Sequence, residues 1–463
     1  MFANARSTVE TYADLLKQMS DKVKVMNEFL PHHGNLARDL REAVEAKLKA
    51  SESPTTAICT STLEMGIDIG TVDSVAQIGP PPSVASLRQR LGRSGRRGDP
   101  AVLRVYVSEL EIDHKTQPAD QLRVSLVQAV AMMDLVLEKW FELPNVSSLH
   151  LSTLIQQVLS IIAQHGGATA RELYRTLCER GPFGNVSQAM FTRLLRDLGT
   201  ADVLIQADDS TLLPGLVGEP ILNHYSFYAA FQTAIEYRLM ADGPTLGTIP
   251  IDFPILRDSM LVFAGRRWRV LDVDEVSRVI LLAPASGGNP PMFAGTGADV
   301  ADEVRLRMRR TLESSAVPVY LDSAGRGLLA EGRANYARLR LADIRLLGSG
   351  RKTIVFPWRG DRVMNTLMVL LLGQGVKATD DRLTLTCTDA DPALIRGVME
   401  ALVADPELPG TDLARHVLIK RRDKYDHFLG GQLLNEAYAA RDLDIPGAYK
   451  AMREILQSGV DAG

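Results

Sequence analysis

Gln89-Arg90-Leu91-Gly92-Arg93-Ser94-Gly95-Arg96-Arg97-Gly98 sets four arginines among three glycines, a few residues after the triple proline Pro80 to Pro82. Arginine forks make paired hydrogen bonds to phosphate oxygens and stay charged at any accessible pH. Glycine lets the backbone come close to a polyanion. The run therefore points to a polyphosphate, and the rest of the chain decides which one.

Upstream, strand-like and helix-like segments alternate. Val9, Tyr12, Leu15, Leu16 and Met19 recur at helical spacing over Ser7 to Met19, and Ser7 with Glu10 can cap the start. Asn35 to Ala50 and Val84 to Leu91 are further helices; Lys22 to Met26, Thr55 to Thr60, Val72 to Ile78 and Val102 to Val107 are strand candidates. The alternation predicts a parallel sheet with helices on both faces, where ligands sit beyond the carboxyl ends of the strands. His33 and Gly34, Thr60 to Asp68 and the arginine run are expected there together, as one phosphate or nucleotide surface.

The chain has 463 residues, 46% apolar and 23% charged, with a net charge of -4. Such composition belongs to a folded, several-domain protein, and a nucleic-acid site on it must be a local basic patch. Cys59, Cys178 and Cys387 stand far apart, without metal-ligand or disulfide spacing, and read as buried apolar residues. No signal peptide opens the chain and the longest strongly apolar run, Leu367 to Leu372, is too short for a bilayer, so a cytoplasmic protein without a metal site of its own is expected. Met1 to Ser7 offers almost no lead-in, as if the chain began part-way into a larger unit.

Four stretches carry a family resemblance. Phe2-Ala3-Asn4-Ala5-Arg6, His32-His33-Gly34 through Arg41, Thr60-Ser61-Thr62-Leu63-Glu64-Met65-Gly66-Ile67-Asp68-Ile69-Gly70 and Gln89 to Arg96 resemble, in order and spacing, motifs IV, IVa, V and VI of superfamily 2 helicases. The third is most similar to the large helicase-related (Lhr) family. The resemblance implies that Arg93 and Arg96 reach the ATP γ-phosphate as catalytic arginines, with Gln89, Gly92, Gly66 and Asp68 on the nucleotide side. It implies that Arg6, His33, Gly34, Thr60 and Ser61 lie along the nucleic-acid backbone. Arg90 and Arg97 have no counterpart and are expected on a solvated surface.

Two stretches imitate the remaining motor motifs. Gly348-Ser349-Gly350-Arg351-Lys352-Thr353 ends like a phosphate loop but is too short, with Arg351 where glycine must precede the lysine. Val270 to Glu275 resembles a strand ending in an acidic pair, yet it lies among alternating strands with no phosphate loop before it. These read as a basic turn and a hairpin turn. ATP with Mg2+ would then be held mainly by a first RecA-like lobe that the chain lacks, supplied in trans or by a missing amino-terminal part, and the chain alone is expected not to hydrolyse ATP.

Beyond the motor lobe, Gln121 to Trp140 reads as one long helix. Leu151 to His165, Thr169 to Arg180 and Ser187 to Leu198 followed by a hairpin suggest a winged helix, with Arg193 and Arg196 as nucleic-acid contacts. Strands from Thr245 to Pro284 suggest a small antiparallel barrel, where Trp268 among Arg266, Arg267 and Arg269 could either stack a base or face inward. The arginines of Arg305 to Arg340 and the run Lys420 to Lys424 suggest a nucleic-acid channel.

The expected fold is multidomain α/β and α+β: a second RecA-like lobe at 1–112, a connecting helix at 113–147, a winged helix at 148–218, a β-barrel-like domain at 219–300 and an α+β domain at 301–463. The expected function is the carboxyl-terminal part of an Lhr-like ATP-dependent 3′ to 5′ DNA or RNA:DNA helicase, in repair or defence, on single-stranded or partly duplex substrate. The alternative is a non-catalytic nucleic-acid-binding or regulatory subunit acting with a separate motor lobe. Arg93 and Arg96 separate the two, since they have a physical purpose only opposite a bound nucleotide.

Overall fold

The structure is a computed structural model and describes residues 1–50, 52–65, 67–70, 72–95, 100–231, 236–241, 243–250, 255–285 and 299–460. Gly66, Arg96 and Arg97, and the run from Ser286 to Pro291, lie outside the described residues. Two compact units interleave in sequence: Met1–Glu142 with Ala234–Leu339, and Leu143–Thr233 with Arg340–Gly463.

The first unit begins with a parallel sheet. Strands β1 (Phe29–His32) and β2 (Thr56–Cys59) pair in parallel, as do β3 (Val75–Ile78) and β4 (Leu103–Tyr106). Phe2 joins the two pairs, bridging Cys59 on one side and Gln77 on the other, so the order is β1, β2, Phe2, β3, β4. Helices α1 (Arg6–Val23), α2 (Arg38–Ala50) and α3 (Val84–Leu91) connect the strands. The strand expected at Lys22 to Met26 does not form. Helix α1 runs on to Val23 and Lys24 turns left-handed at φ 56°, leaving Val23, Val25 and Met26 exposed. Helix α3 starts where its sequence says it should: Ser83 accepts from the Ser86 N–H, and the Glu142 carboxylate accepts from the N–H groups of Val84 and Ala85. Negative charge at a helix start is where the backbone dipole favours it.

Also in this unit, a five-stranded sheet has the order Met260–Phe263, Arg266–Asp274, Val279–Pro284, Glu236–Met240, Thr245–Pro250. It is not wholly antiparallel, because Val279–Pro284 and Glu236–Met240 run in parallel. Strand Glu236–Met240 has no forecast counterpart. The acidic stretch at Asp274 is a hairpin turn, its carboxylate accepting from the N–H groups of Val276 and Ser277.

The segment 301–463 is not one domain. Helices Asp302–Glu313 and Ser323–Arg338 pack with α4 (Val124–Leu137) in the first unit, while the chain from Arg340 onward belongs to the second. Three of their arginines are engaged in that packing: Arg305 bonds Gln128, Arg307 forks onto Glu138, and Arg333 donates to the carbonyls of Thr311 and Ala316. Arg310, Arg326, Arg338 and Arg340, forecast with them for a nucleic-acid channel, are exposed.

In the second unit, helices Leu151–His165, Ala170–Tyr174 and Gln188–Thr200 carry a three-stranded antiparallel sheet of order Ala168–Thr169, Thr211–Pro214, Leu204–Gln206. A second sheet, Lys377–Asp380, Leu385–Thr388, Lys352–Val355, Ile344–Ser349 and Gly459–Val460, packs on helices Asp361–Gly373, Pro392–Ala404 and Ile445–Leu456 around Leu346, Val355, Leu370, Leu385 and Met452. The phosphate-loop imitation is the hairpin between Ile344–Ser349 and Lys352–Val355, with Gly350 left-handed and Arg351 paired to Asp389. Among the described residues, no helix is long and apolar enough to cross a membrane. All three cysteines are buried, and burial pushes each thiol up to about 11.

Candidate nucleotide and nucleic-acid site

The carboxyl ends of the strands present the first group of expected residues. Gly34 follows β1, Thr60 and Ser61 follow β2, and Arg6 follows the Phe2 segment; Arg6, Gly34 and Ser61 are exposed and Thr60 is half-buried. His33 is different. It is buried, its Nε2 lies 2.8 Å from Glu10 Oε1, and its ring stands edge-on to Phe263. It holds the loop in place through Glu10. Glu10 also accepts from the N–H groups of Ala264 and Gly265, and Asp14, one turn on, pairs with Arg267. The loop after β1 is thereby clamped to the five-stranded sheet, and Leu36 adds a bridge to Gly247.

His32, beside it, is buried between Thr62 Oγ1 at 2.8 Å and Glu45 Oε1 at 3.1 Å. Burial holds its pKa below the usual histidine value, against the pull of Glu45. Nε2 faces the Glu45 carboxylate and Nδ1 faces the Thr62 hydroxyl, which also donates to the His32 carbonyl at 3.1 Å.

The arginine run lies elsewhere. Helix α3 returns antiparallel to β3, so its end comes beside the segment that enters β3: Ser94 bridges Val72, and its hydroxyl accepts from the Val102 N–H. The expected single surface is therefore two, joined by one stretch. The connection from β2 to β3 leaves the carboxyl edge at Thr60 and Ser61 and must reach the opposite edge at Val75. On that path, Ile67 accepts from Arg93 Nη1 at 3.0 Å, and Asp68 Oδ1 accepts from the Gly70 N–H. Gln89 and Gly92 are exposed nearby. Gly95 sits at φ +71° with Ala101 so close that a Cβ would stand 2.4 Å from its nitrogen, so only glycine fits this turn.

A buried network fixes the arrangement. Arg90, 2% exposed, donates from Nε to Glu64 Oε2 at 2.9 Å and from Nη1 to Gln77 Oε1, with its guanidinium 4.9 Å over the Phe2 ring. Ser86 Oγ donates to the same Glu64 oxygen. The solvated surface expected for Arg90 is thus overturned. Val84, Leu87 and Arg90 fall at i, i+3 and i+6 on the inner stripe of α3, a spacing visible in the sequence.

Trp268 takes no part in stacking a base. It is 4% exposed and its Nε1 donates to the Phe263 carbonyl, because strand alternation turns it into the core of the five-stranded sheet. Arg193 pairs with Glu436 at 3.0 Å, whereas Arg196, on the same helix, is exposed.

Residues 1–98 match the family model described as helicase conserved C-terminal domain. Over 98 residues the chain is 43% identical to the ATP-dependent helicase Lhr-Core of Methanocaldococcus jannaschii, covering 21% of this chain and 11% of that protein. Residues 1–98 are thus similar to the carboxyl-terminal helicase domain of Lhr-type superfamily 2 helicases. The Lhr helicase/uracil glycosylase of Escherichia coli is 33% identical over 144 residues, 26% of this chain and 9% of that protein. Across 98% of its length the chain also superposes on 63% of the Mycobacterium smegmatis helicase Lhr solved with ssDNA and AMP-PNP, at a TM-score of 0.61 and 19% identity. That likeness is one of fold. The chain spans only part of each of these relatives.

Proposed function

We infer that this chain supplies the second motor lobe and a nucleic-acid clamp of an ATP-driven Lhr-type helicase, acting on DNA or RNA:DNA duplexes in the 3′ to 5′ direction. The observation that carries this reading is the single stretch from Thr60 to Val72, which has the nucleic-acid-side hydroxyls of Thr60 and Ser61 at one end and the Arg93 contact at Ile67 further along. Such a stretch can couple a change at the nucleotide to a change at the strand.

Arg93 donates from Nη1 to the Ile67 carbonyl, and a guanidinium has five N–H donors, so its fork suits a γ-phosphate oxygen. Arg96 is assigned the same role from its motif position. ATP, when bound with Mg2+, supplies the phosphoryl group whose developing charge such arginines stabilise. The phosphate loop and acidic pair would come from a first lobe, in trans or elsewhere in the polypeptide. The three helices and sheet from Leu151 to Pro214 act as a winged-helix clamp through Arg196, and the five-stranded sheet as a barrel-like support for the motor lobe. DNA repair or defence in the cytoplasm is the setting this activity suits.

The test is reconstitution. The chain alone should show no strand-stimulated ATPase activity, and adding a candidate first lobe should restore it. Arg93→Ala should then lower turnover by roughly 10³-fold or more. Unchanged turnover would refute the assignment.

A further inference from the structure

In the second unit, Tyr225 and Tyr228 stand on one 3-10 turn with 81% and 88% of their surface exposed, while Phe227 between them is buried at 8%. Residues three apart in a 3-10 helix eclipse, so the two rings leave the same side. Three rises of ~2.0 Å put them about 6 Å apart along the axis, near twice the ~3.4 Å spacing of stacked bases. Phe231 is exposed just beyond.

The turn is anchored, and of its two exposed rings Tyr225 lies against the His224 ring with centroids 4.4 Å apart. Gln156 Nε2 donates to the Phe227 carbonyl, the Ser226 N–H donates to His224 Nδ1, and the Lys424 ammonium donates to the carbonyls of Ser226 and Ala229 at 2.5 and 2.7 Å. Large rings held on a fixed backbone and left in water mark an interaction surface. The charge beside them is positive. Lys424's partners are neutral carbonyls and the Tyr425 ring, 5.0 Å from its ammonium; Asp423 pairs with Arg441, and Asp426 accepts from the N–H groups of Arg422 and Asp423. Exposed rings next to an uncompensated cation suit bases joined by phosphodiesters better than the apolar face of a protein.

We propose that the Tyr225–Tyr228 turn is a stacking platform for unpaired bases of a nucleic-acid strand, with Lys424 beside the linking phosphate. This rests on the helicase reading and adds a contact outside the motor lobe, in the role that buried Trp268 does not fill.

The test uses the full chain and a fluorescein-labelled single-stranded dT oligonucleotide, with affinity measured by anisotropy over a range of salt. Tyr225→Ala with Tyr228→Ala should weaken binding by ~25-fold, about five-fold for each ring lost. The Tyr225→Phe, Tyr228→Phe chain should stay within about two-fold, because the ring faces remain. The ring variants should keep the wild-type salt slope, whereas Arg6→Ala should lower it by about one. If the double alanine chain binds like wild type while Arg6→Ala binds less, the platform is wrong and the motor reading stands. Failure of the wild-type chain to bind the strand even at low salt overturns both. A double alanine chain with unchanged affinity but reduced self-association in sedimentation assigns the rings to a protein contact and also overturns the proposal.

Discussion

Arg90 and Glu64 meet as a buried ion pair, Nε to Oε2 at 2.9 Å, and so bolt the helix that precedes Arg93 to the stretch that joins Ser61 to Ile67. Arg90→Ala leaves the Glu64 carboxylate buried and still bonded by the Ser86 hydroxyl, without its cation. Removing one partner of a buried pair costs ~3–5 kcal/mol. Exposed Arg88, two residues away, should cost less than ~0.5 kcal/mol when replaced by alanine. Urea unfolding of the two variants checks this, and equal midpoints would remove the network from the account of the site.

Acid should act on the first unit through His32. Its pKa in the folded chain lies below the ordinary value of about 6.5, because the ring is buried. Below that ordinary value the unfolded chain therefore binds more protons than the folded one. Stability is full above about pH 6.5, declines as pH falls below it, and levels off once the folded ring also protonates. Thermal melts between pH 5 and 8 should show this decline in the wild type and a smaller one in His32→Asn. Parallel profiles would mean that other groups carry the acid sensitivity.

Glu10 takes three donors, His33 Nε2 and the N–H groups of Ala264 and Gly265. In Glu10→Gln one acceptor oxygen becomes an NH2 group that must face a donor, at a cost of about 1–3 kcal/mol. Hydrogen exchange should therefore quicken at Ala264 and Gly265 while β2 amides stay protected. Unchanged exchange at the turn would show that the clamp does not depend on this carboxylate.

Where side chains keep a regular period, the sequence was a good guide. Val84 to Leu91 and Leu151 to His165 are helices with the bounds that their apolar spacing sets. Aperiodic stretches were opaque: nothing in the spacing of Thr60 to Val72 says that it crosses the lobe, so the separation of Arg93 from Ser61 became visible only in three dimensions. Alternating valines at Lys22 to Met26 look strand-like, yet α1 runs on to Val23 and the left-handed Lys24 ends it, leaving Val25 and Met26 exposed. Trp268 among arginines has the composition of a base-stacking segment, and only the covering of one sheet face decides that the tryptophan is inside. Charge counts were a partial guide for a similar reason, since Arg305 and Arg307 find their partners Gln128 and Glu138 far off in sequence.

Arg193 and Arg196 lie three residues apart on one helix and should behave differently. Arg193 Nη1 is 3.0 Å from Glu436 Oε1, and the other oxygen of that carboxylate is buried without a partner. Arg193→Ala should therefore destabilise the second unit by roughly 1–2 kcal/mol and leave the salt dependence of strand binding unchanged. Arg196 is exposed and lines a groove of about 910 Å³ with Arg171 and Arg175. If that groove follows a backbone, Arg196→Ala should keep wild-type stability and lower the slope of log affinity against log salt by about one, since each phosphate contact releases about one counterion. Measuring melting and salt slopes on both variants separates the roles, and an unchanged slope in Arg196→Ala would take this helix out of the nucleic-acid surface.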